Sequence, residues 1–187
     1  MMDRNQALDD LKTIRQIMKR TQREAGRHGG WFILIAGVMW LVGFTANQFL
    51  PEKYAGLTWA VVNLGGMIAM IWAGIRLVKN GDIRTTMWKP IFFFWVILAA
   101  FAMLLGWLFG VNNSVQIGLL ALLVAALGYI QIGAIFQSLH ISITGILVAM
   151  LAVGAFFLMP DHFLLAMALL GGGLLIGSGL WMIRSRR

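Results

Sequence analysis

The chain has 187 residues, 60% hydrophobic and only 12% charged, a formal net charge of +8 and a mean hydropathy of +0.82. A soluble domain carries about 45–50% apolar and about 25% charged residues; this chain has too little charge to cover a water-facing surface, which excludes a soluble globular enzyme. No cysteine is present, which removes disulfides, thiolate metal sites and thiol nucleophiles.

Residues 1–30 are mostly polar, unlike a cleavable leader, whose apolar stretch starts near the N-terminus. Leu8, Leu11, Ile14, Ile17, Met18 and Thr21 recur at spacings of three and four, with Lys12, Arg15, Lys19 and Arg23 around them. That period predicts an amphipathic helix. Asp3, Asp9 and Asp10 lie toward its start and the bases toward its end, as the helix dipole favours. The segment reads as a helix lying on the cytoplasmic lipid surface. The other reading is a docking helix for a cytoplasmic partner protein or a second protomer. Gly26 and Gly29-Gly30 form a glycine-rich hinge into the first apolar run.

A helix of about 20 apolar residues crosses a hydrocarbon core roughly 30 Å thick. Six such runs are present: Trp31–Leu50, Leu57–Val78, Pro90–Gly110, Val115–Phe136, Ile141–Met159 and Phe163–Ile183. Pro51-Glu52-Lys53, Asn112-Asn113-Ser114 and Pro160-Asp161-His162 separate the members of each pair. The break at Gln137-Ser138-Leu139-His140 is weaker, and spans four and five also read as one long bent segment. The fold class expected is an all-α integral membrane protein, a bundle of six transmembrane helices after a cytoplasmic amphipathic helix. Its domains are residues 1–30, the membrane domain 31–183 and a basic tail, 184–187.

Charge orients the bundle. Of fifteen Lys and Arg, only Lys53 lies in a loop following an odd-numbered span. The other fourteen lie in residues 1–30, between spans two and three, or at the C-terminus. The positive-inside rule then places both termini in the cytoplasm, with the chain expected in the cytoplasmic (plasma) membrane. Trp31, Trp59, Trp88, Trp107 and Trp181 sit near span ends, where an interfacial aromatic belt would place them. Anionic inner-leaflet lipid accounts for the basic excess, so no nucleic acid is needed as a partner.

The first and third hairpins are alike. Ile35-Ala36-Gly37-Val38 leads to Pro51-Glu52, and Ile143-Thr144-Gly145-Ile146 leads to Pro160-Asp161. Glycine clusters come next in each, Gly65-Gly66 and Gly171-Gly172-Gly173. The pattern suggests three related hairpins. Gly106-x-x-x-Gly110 and Gly173-x-x-x-Gly177 are expected to let helix backbones approach closely. The clustered glycines either pack likewise or loosen their helices.

No Asp, Glu, Lys or Arg lies in the interior of any span, Arg76 falling in the last turn of the second. Proton relays, cation pathways and voltage sensors rest on such groups. The seven acids do not converge into an acid–base pair by any visible spacing, so no enzyme activity is expected. His28, His140 and His162 fall at span edges, which supports neither a bis-histidine haem nor a metal site. No cofactor is expected.

Uncharged polar residues are the remaining candidates. Asn47 and Gln48, with Thr45, lie near the outer end of span one and are expected to meet Asn63. Tyr129, Gln131, Ser138, His140 and Thr144, with Ser142, cluster at the inner ends of spans four and five. They serve either as interhelical hydrogen bonds or as the orienting groups of a neutral ligand amid methionine and aromatic side chains. The function expected is that of a small non-catalytic membrane protein, accessory or sensory, acting through apolar-ligand or partner contacts. The alternative is a transporter or channel for a neutral or lipophilic solute.

The orientation has a direct test, helped by the absence of native cysteine. Lys53→Cys is expected to react with a membrane-impermeant maleimide in intact cells, and Ser185→Cys only after permeabilisation. The reverse pattern would invert the topology.

Overall fold

The computed structural model describes residue 13 and residues 29–79, 88–111 and 113–184. The expected amphipathic helix, the basic connection around residues 80–87 and the last three residues of the tail lie outside the described residues. Within them the chain is all-helical, 93% helix with no strands, and has six helices long and apolar enough to cross a membrane. They are α1 (Gly29–Phe49), α2 (Ala55–Lys79), α3 (Trp88–Leu108), α4 (Ser114–Ile135), α5 (Leu139–Leu158) and α6 (Pro160–Arg184). A one-turn 3-10 helix, Glu52–Tyr54, precedes α2.

Capping residues explain where the helices stop. The Asn113 side chain accepts from Val115 N–H at 2.8 Å and caps α4. Two helices end in the same six-residue motif. At the end of α3, Val111 N–H reaches Gly106 C=O (2.9 Å) and Gly110 N–H reaches Trp107 C=O (3.3 Å), with Gly110 at φ 61°. At the end of α4, Ser138 N–H reaches Gly133 C=O (2.8 Å) and Gln137 N–H reaches Ala134 C=O (3.1 Å), with Gln137 at φ 50°. Both are Schellman caps, the second carrying glutamine where glycine is usual. Spans four and five are therefore two helices joined by a tight turn, not one bent segment.

Four helices, α1, α4, α5 and α6, share the core. One layer is built around Phe44, Leu122, Ala152, Phe163 and Met167. A second comprises Ile33, Ala126, Tyr129, Ile141, Val148, Leu175 and Met182. Phe44 sets its ring edge-on to Trp40 (6.1 Å) and Trp59 (5.0 Å), which seats α2 against α1. Trp95 does the same for α3 on α4 through Tyr129 (5.5 Å). Both outer helices are thinly covered, and no residue of Ile91–Leu108 is buried.

A close backbone contact joins α1 to α6 through four glycines. A Cβ on Gly37 would stand 2.7 Å from Ile176 N and 2.9 Å from Gly172 O. One on Gly179 would stand 2.7 Å from Gly30 O and 2.8 Å from Leu34 N. Gly30 faces Gly179, and Gly172 faces Gly37 and Leu41. Backbone thus lies on backbone in antiparallel register, with the glycines seven positions apart on each helix. Gly145 brings α5 equally near α4, its Cβ position 2.7 Å from Ala126 O. Gly37 and Gly145, aligned in the hairpin comparison, therefore each join a hairpin to a helix of another.

The four-residue glycine motifs do something else. Gly110 terminates α3, and Gly106 has only an ordinary contact with Leu120 at 3.6 Å. A Cβ on Gly173 or Gly177 would meet no described atom within 4 Å. The glycine cluster in α6 both packs and loosens: Gly172 touches α1, and Met167–Gly172 is a π-helical stretch within the helix.

Phe163 is fully buried. In a bilayer its unfolded reference stays in an apolar solvent, so truncation costs packing more than transfer. Phe163→Ala is expected to lower unfolding free energy by about 1–3 kcal/mol, measured in bicelles. Trp107→Ala, at an 80% exposed position, is expected to change it by less than about 0.5 kcal/mol. Equal effects would place the core elsewhere.

Candidate functional site

The polar candidates gather at the two ends of the bundle, and in both places α6 supplies the partner. At the Arg184 end, the first turns of α5 meet the last turns of α6. His140 Nε2 lies 2.9 Å from Ser178 Oγ, and Thr144 Oγ1 lies 3.1 Å from the same oxygen. The Thr144 hydroxyl also donates to His140 C=O at 2.9 Å, four residues back on its own helix. Thr144 and Ser178 are buried, and the His140 ring lies 4.3 Å from that of Trp181, tilted by 31°. Ser142 donates to Ile130 C=O at 3.3 Å, bridging α5 to α4. Ser138 Oγ is buried with no hydrogen-bond partner.

Two expected members of this cluster stand apart. Gln131 is exposed. Tyr129 is buried in the core, where its described ring partner is Trp95. Ser178 completes the cluster and is a residue that sequence reasoning misses, while Trp181 reads from sequence only as part of the aromatic belt. The available signal is Ser178 itself, flanked by Gly177 and Gly179 in an otherwise apolar span.

At the Pro51/Pro160 end, Gln48 ties α1 to the start of α6. Its Oε1 accepts from Leu165 N–H (3.3 Å) and its Nε2 donates to Asp161 C=O (3.4 Å). The expected meeting with Asn63 does not form, because Asn63 lies on the exposed face of α2. The Ser114 hydroxyl donates to Glu52 Oε1 at 2.9 Å, linking the first two hairpins. Asn47 Oδ1 is buried and has no partner. These residues border a cleft of ≈ 240 Å³ that Pro160 and Asp161 complete.

A second concavity is apolar. Met150, Leu151, Gly154, Ala155, Leu158 and Met159 of α5 and its end, with Ala166 and Leu170 of α6, line a lateral groove of ≈ 230 Å³. It runs beside the π-helical stretch, which contributes Leu170.

Among the described residues no three His, Asp or Glu side chains gather as a metal-binding group. What the two polar ends do, on this geometry, is hold helices together. No protein family, curated protein or solved structure matches the chain.

Interhelical hydrogen bonds within membranes contribute about 0.6 kcal/mol on average and at most about 1.7. Ser178→Ala removes two contacts at once and is expected to cost about 1–1.5 kcal/mol of unfolding free energy. Gln131→Ala is expected to cost less than about 0.5 kcal/mol. A silent Ser178→Ala would show that the cluster holds nothing together.

Proposed function

We propose that the chain is a non-catalytic integral membrane protein, accessory or sensory in role, acting through apolar contacts made from within the bilayer. The observation that carries this reading is where the bundle is full and where it is open. Phe163, Leu122, Met167, Leu175 and Val148 are fully buried along its centre. The apolar groove opens instead to the side, between α5 and α6. Its methionines, Met150 and Met159, are adaptable surfaces for an irregular apolar partner. At ≈ 230 Å³ it is smaller than the roughly 300–1,000 Å³ of a pocket that encloses a drug-sized ligand. A stretch of acyl chain or an isoprenoid segment suits it better than a whole compact solute.

The same reading places the chain in the cytoplasmic membrane with both termini inside. Arg76, Lys79 and Arg184 lie in the last turns of α2 and α6, and Lys53 lies in the opposite loops. Arg76 sits 4.2 Å above the Trp72 ring, a cation–π pair suited to the headgroup boundary. Anionic inner-leaflet lipid is the partner of this basic face, and the N-terminal segment is the candidate contact for a cytoplasmic protein or a second copy.

A diazirine-bearing fatty acid in proteoliposomes tests the reading. Photolabelling is expected to concentrate on peptides carrying Met150–Met159, and Gly154→Leu, which fills open space, is expected to reduce it severalfold without loss of fold. Uniform labelling of all lipid-facing helices would refute the groove as a contact site. Saturable flux of a neutral or lipophilic solute, absent from empty vesicles, would replace this reading with a transporter.

A further inference from the structure

Helix α2 carries two unlike stripes on the surface it does not give to α1. It packs on α1 through Trp59, which meets Gly43 and Phe44, and through Gly66, which faces Met39. Turned outward are Leu57, Val61, Leu64, Ile68, Ile71 and Ile75, at spacings of four and three and 50–63% exposed. Those bulky aliphatic side chains are as apolar as the lipid tails they meet. Between the packed side and this stripe, at the same spacing, run Gly56, Ala60, Asn63, Met67, Met70 and Gly74. Gly56, Ala60, Asn63 and Met67 are exposed, and a Cβ on Gly56 or Gly74 would meet no described atom within 4 Å. Spacing does not tell the two stripes apart, but composition does: one is all branched aliphatic, the other small, soft and interrupted by an amide.

Asn63 identifies what covers the second stripe. It lies eight residues after Ala55 and sixteen before Lys79, about 12 Å and about 24 Å along the helix axis, too deep for so short a side chain to reach water at either end. No hydrogen bond to its amide is made among the described residues. Hydrocarbon supplies no donor or acceptor, so polar side chains within spans turn toward protein partners. Here the partner must come from outside the chain, at that depth. An amide both donates and accepts, so its simplest complement is another asparagine. Copies inserted with one topology run parallel, and a two-fold axis along the membrane normal sets residue 63 of each at the same depth. We propose that α2 is the contact between two copies of this chain, with Asn63 amides exchanging hydrogen bonds across the axis. Gly56, Ala60 and Gly74 let the two backbones approach on either side, and the alternating four-and-three spacing is the seam of a left-handed parallel helix pair with one polar residue fixing its register. This face is separate from the groove between α5 and α6, and either stands without the other.

The test counts subunits of the full chain in liposomes by single-molecule photobleaching as the protein-to-lipid ratio is varied. The wild-type chain is expected to pass from monomer to dimer and no further. Asn63→Leu, at an exposed position, is expected to leave helix content unchanged and to weaken dimerisation roughly 5- to 30-fold. Asn63→Gln keeps the amide and is expected to stay within about 3-fold of wild type. The absence of native cysteine allows a second readout at adjacent positions. Met67→Cys, on the seam, is expected to form an intermolecular disulfide on oxidation with copper phenanthroline, and Ile68→Cys, on the lipid-facing stripe, is not. The proposal is overturned by a wild-type chain that stays monomeric, leaving the stripe to lipid or to a different protein. It is equally overturned by an Asn63→Leu dimer as tight as wild type, or by cross-linking through Ile68→Cys but not Met67→Cys.

Discussion

Everything in the bundle is arranged around the backbone contact between α1 and α6. In water, helices associate because leaving solvent is favourable. In lipid that drive is absent, since the tails are as apolar as leucine, and close packing and interhelical hydrogen bonds must serve. Gly30 and Gly37 on one helix and Gly172 and Gly179 on the other bring the two backbones into direct contact. The contact brings Phe44 into the core layer of Phe163 and Met167. It also sets Gln48 within reach of Leu165 and Asp161. Gly145 repeats the device between α5 and α4. The outer helices need less: α3 has no buried residue over Ile91–Leu108 and is held to α4 through Trp95 and Tyr129.

Polar contacts finish what the glycines begin. They sit at the ends of the helices rather than at mid-depth. Ser178 collects His140 and Thr144 at one end, and Gln48 and Ser114 make links at the other. Between them the core is mostly hydrocarbon and sulfur, filled by Leu122, Val148, Phe163, Met167 and Leu175, with Tyr129 the exception. Among the described residues, the lateral groove and the loop cleft are two places where another molecule can be accommodated. The two differ in chemistry, one apolar and methionine-rich, the other rimmed by oxygen acceptors.

Much of this is legible in the sequence, and the exceptions have physical causes. Span number and limits come from apolar length, because six runs of about the required length are separated by Pro, Asn and Asp punctuation. The glycine motifs are harder. A four-residue spacing identifies a helix face but not whether that face has a neighbour, so Gly173 and Gly177 share an open one. Gly106 and Gly110 fit the same spacing for another reason, since a Schellman cap places glycine four residues after the carbonyl it helps to satisfy. The seven-residue spacing of Gly30 with Gly37, matched by Gly172 with Gly179, is present in the sequence but needs the pairing of first and last helices to acquire meaning. The same holds for polar partners. Asn47 and Gln48 are identifiable as candidates, yet Gln48 pairs with residues more than a hundred positions away, and Asn63, the nearer choice, lies on an exposed face.

Alanine at two glycines, one in α1 and one in α6, separates a structural contact from a bystander by the sign of the effect. In a helix interior, glycine is less favourable than alanine by about 0.5–1 kcal/mol. Gly177→Ala adds a methyl group to open space, so unfolding free energy in bicelles should rise by up to about 1 kcal/mol. Gly37→Ala drives a methyl group to 2.7 Å from Ile176 N, so the backbones must part and unfolding free energy should fall by about 1–3 kcal/mol. Opposite signs at Gly37 and Gly177 are the expected result. A Gly37→Ala chain as stable as Gly177→Ala would show that α1 and α6 do not meet backbone to backbone.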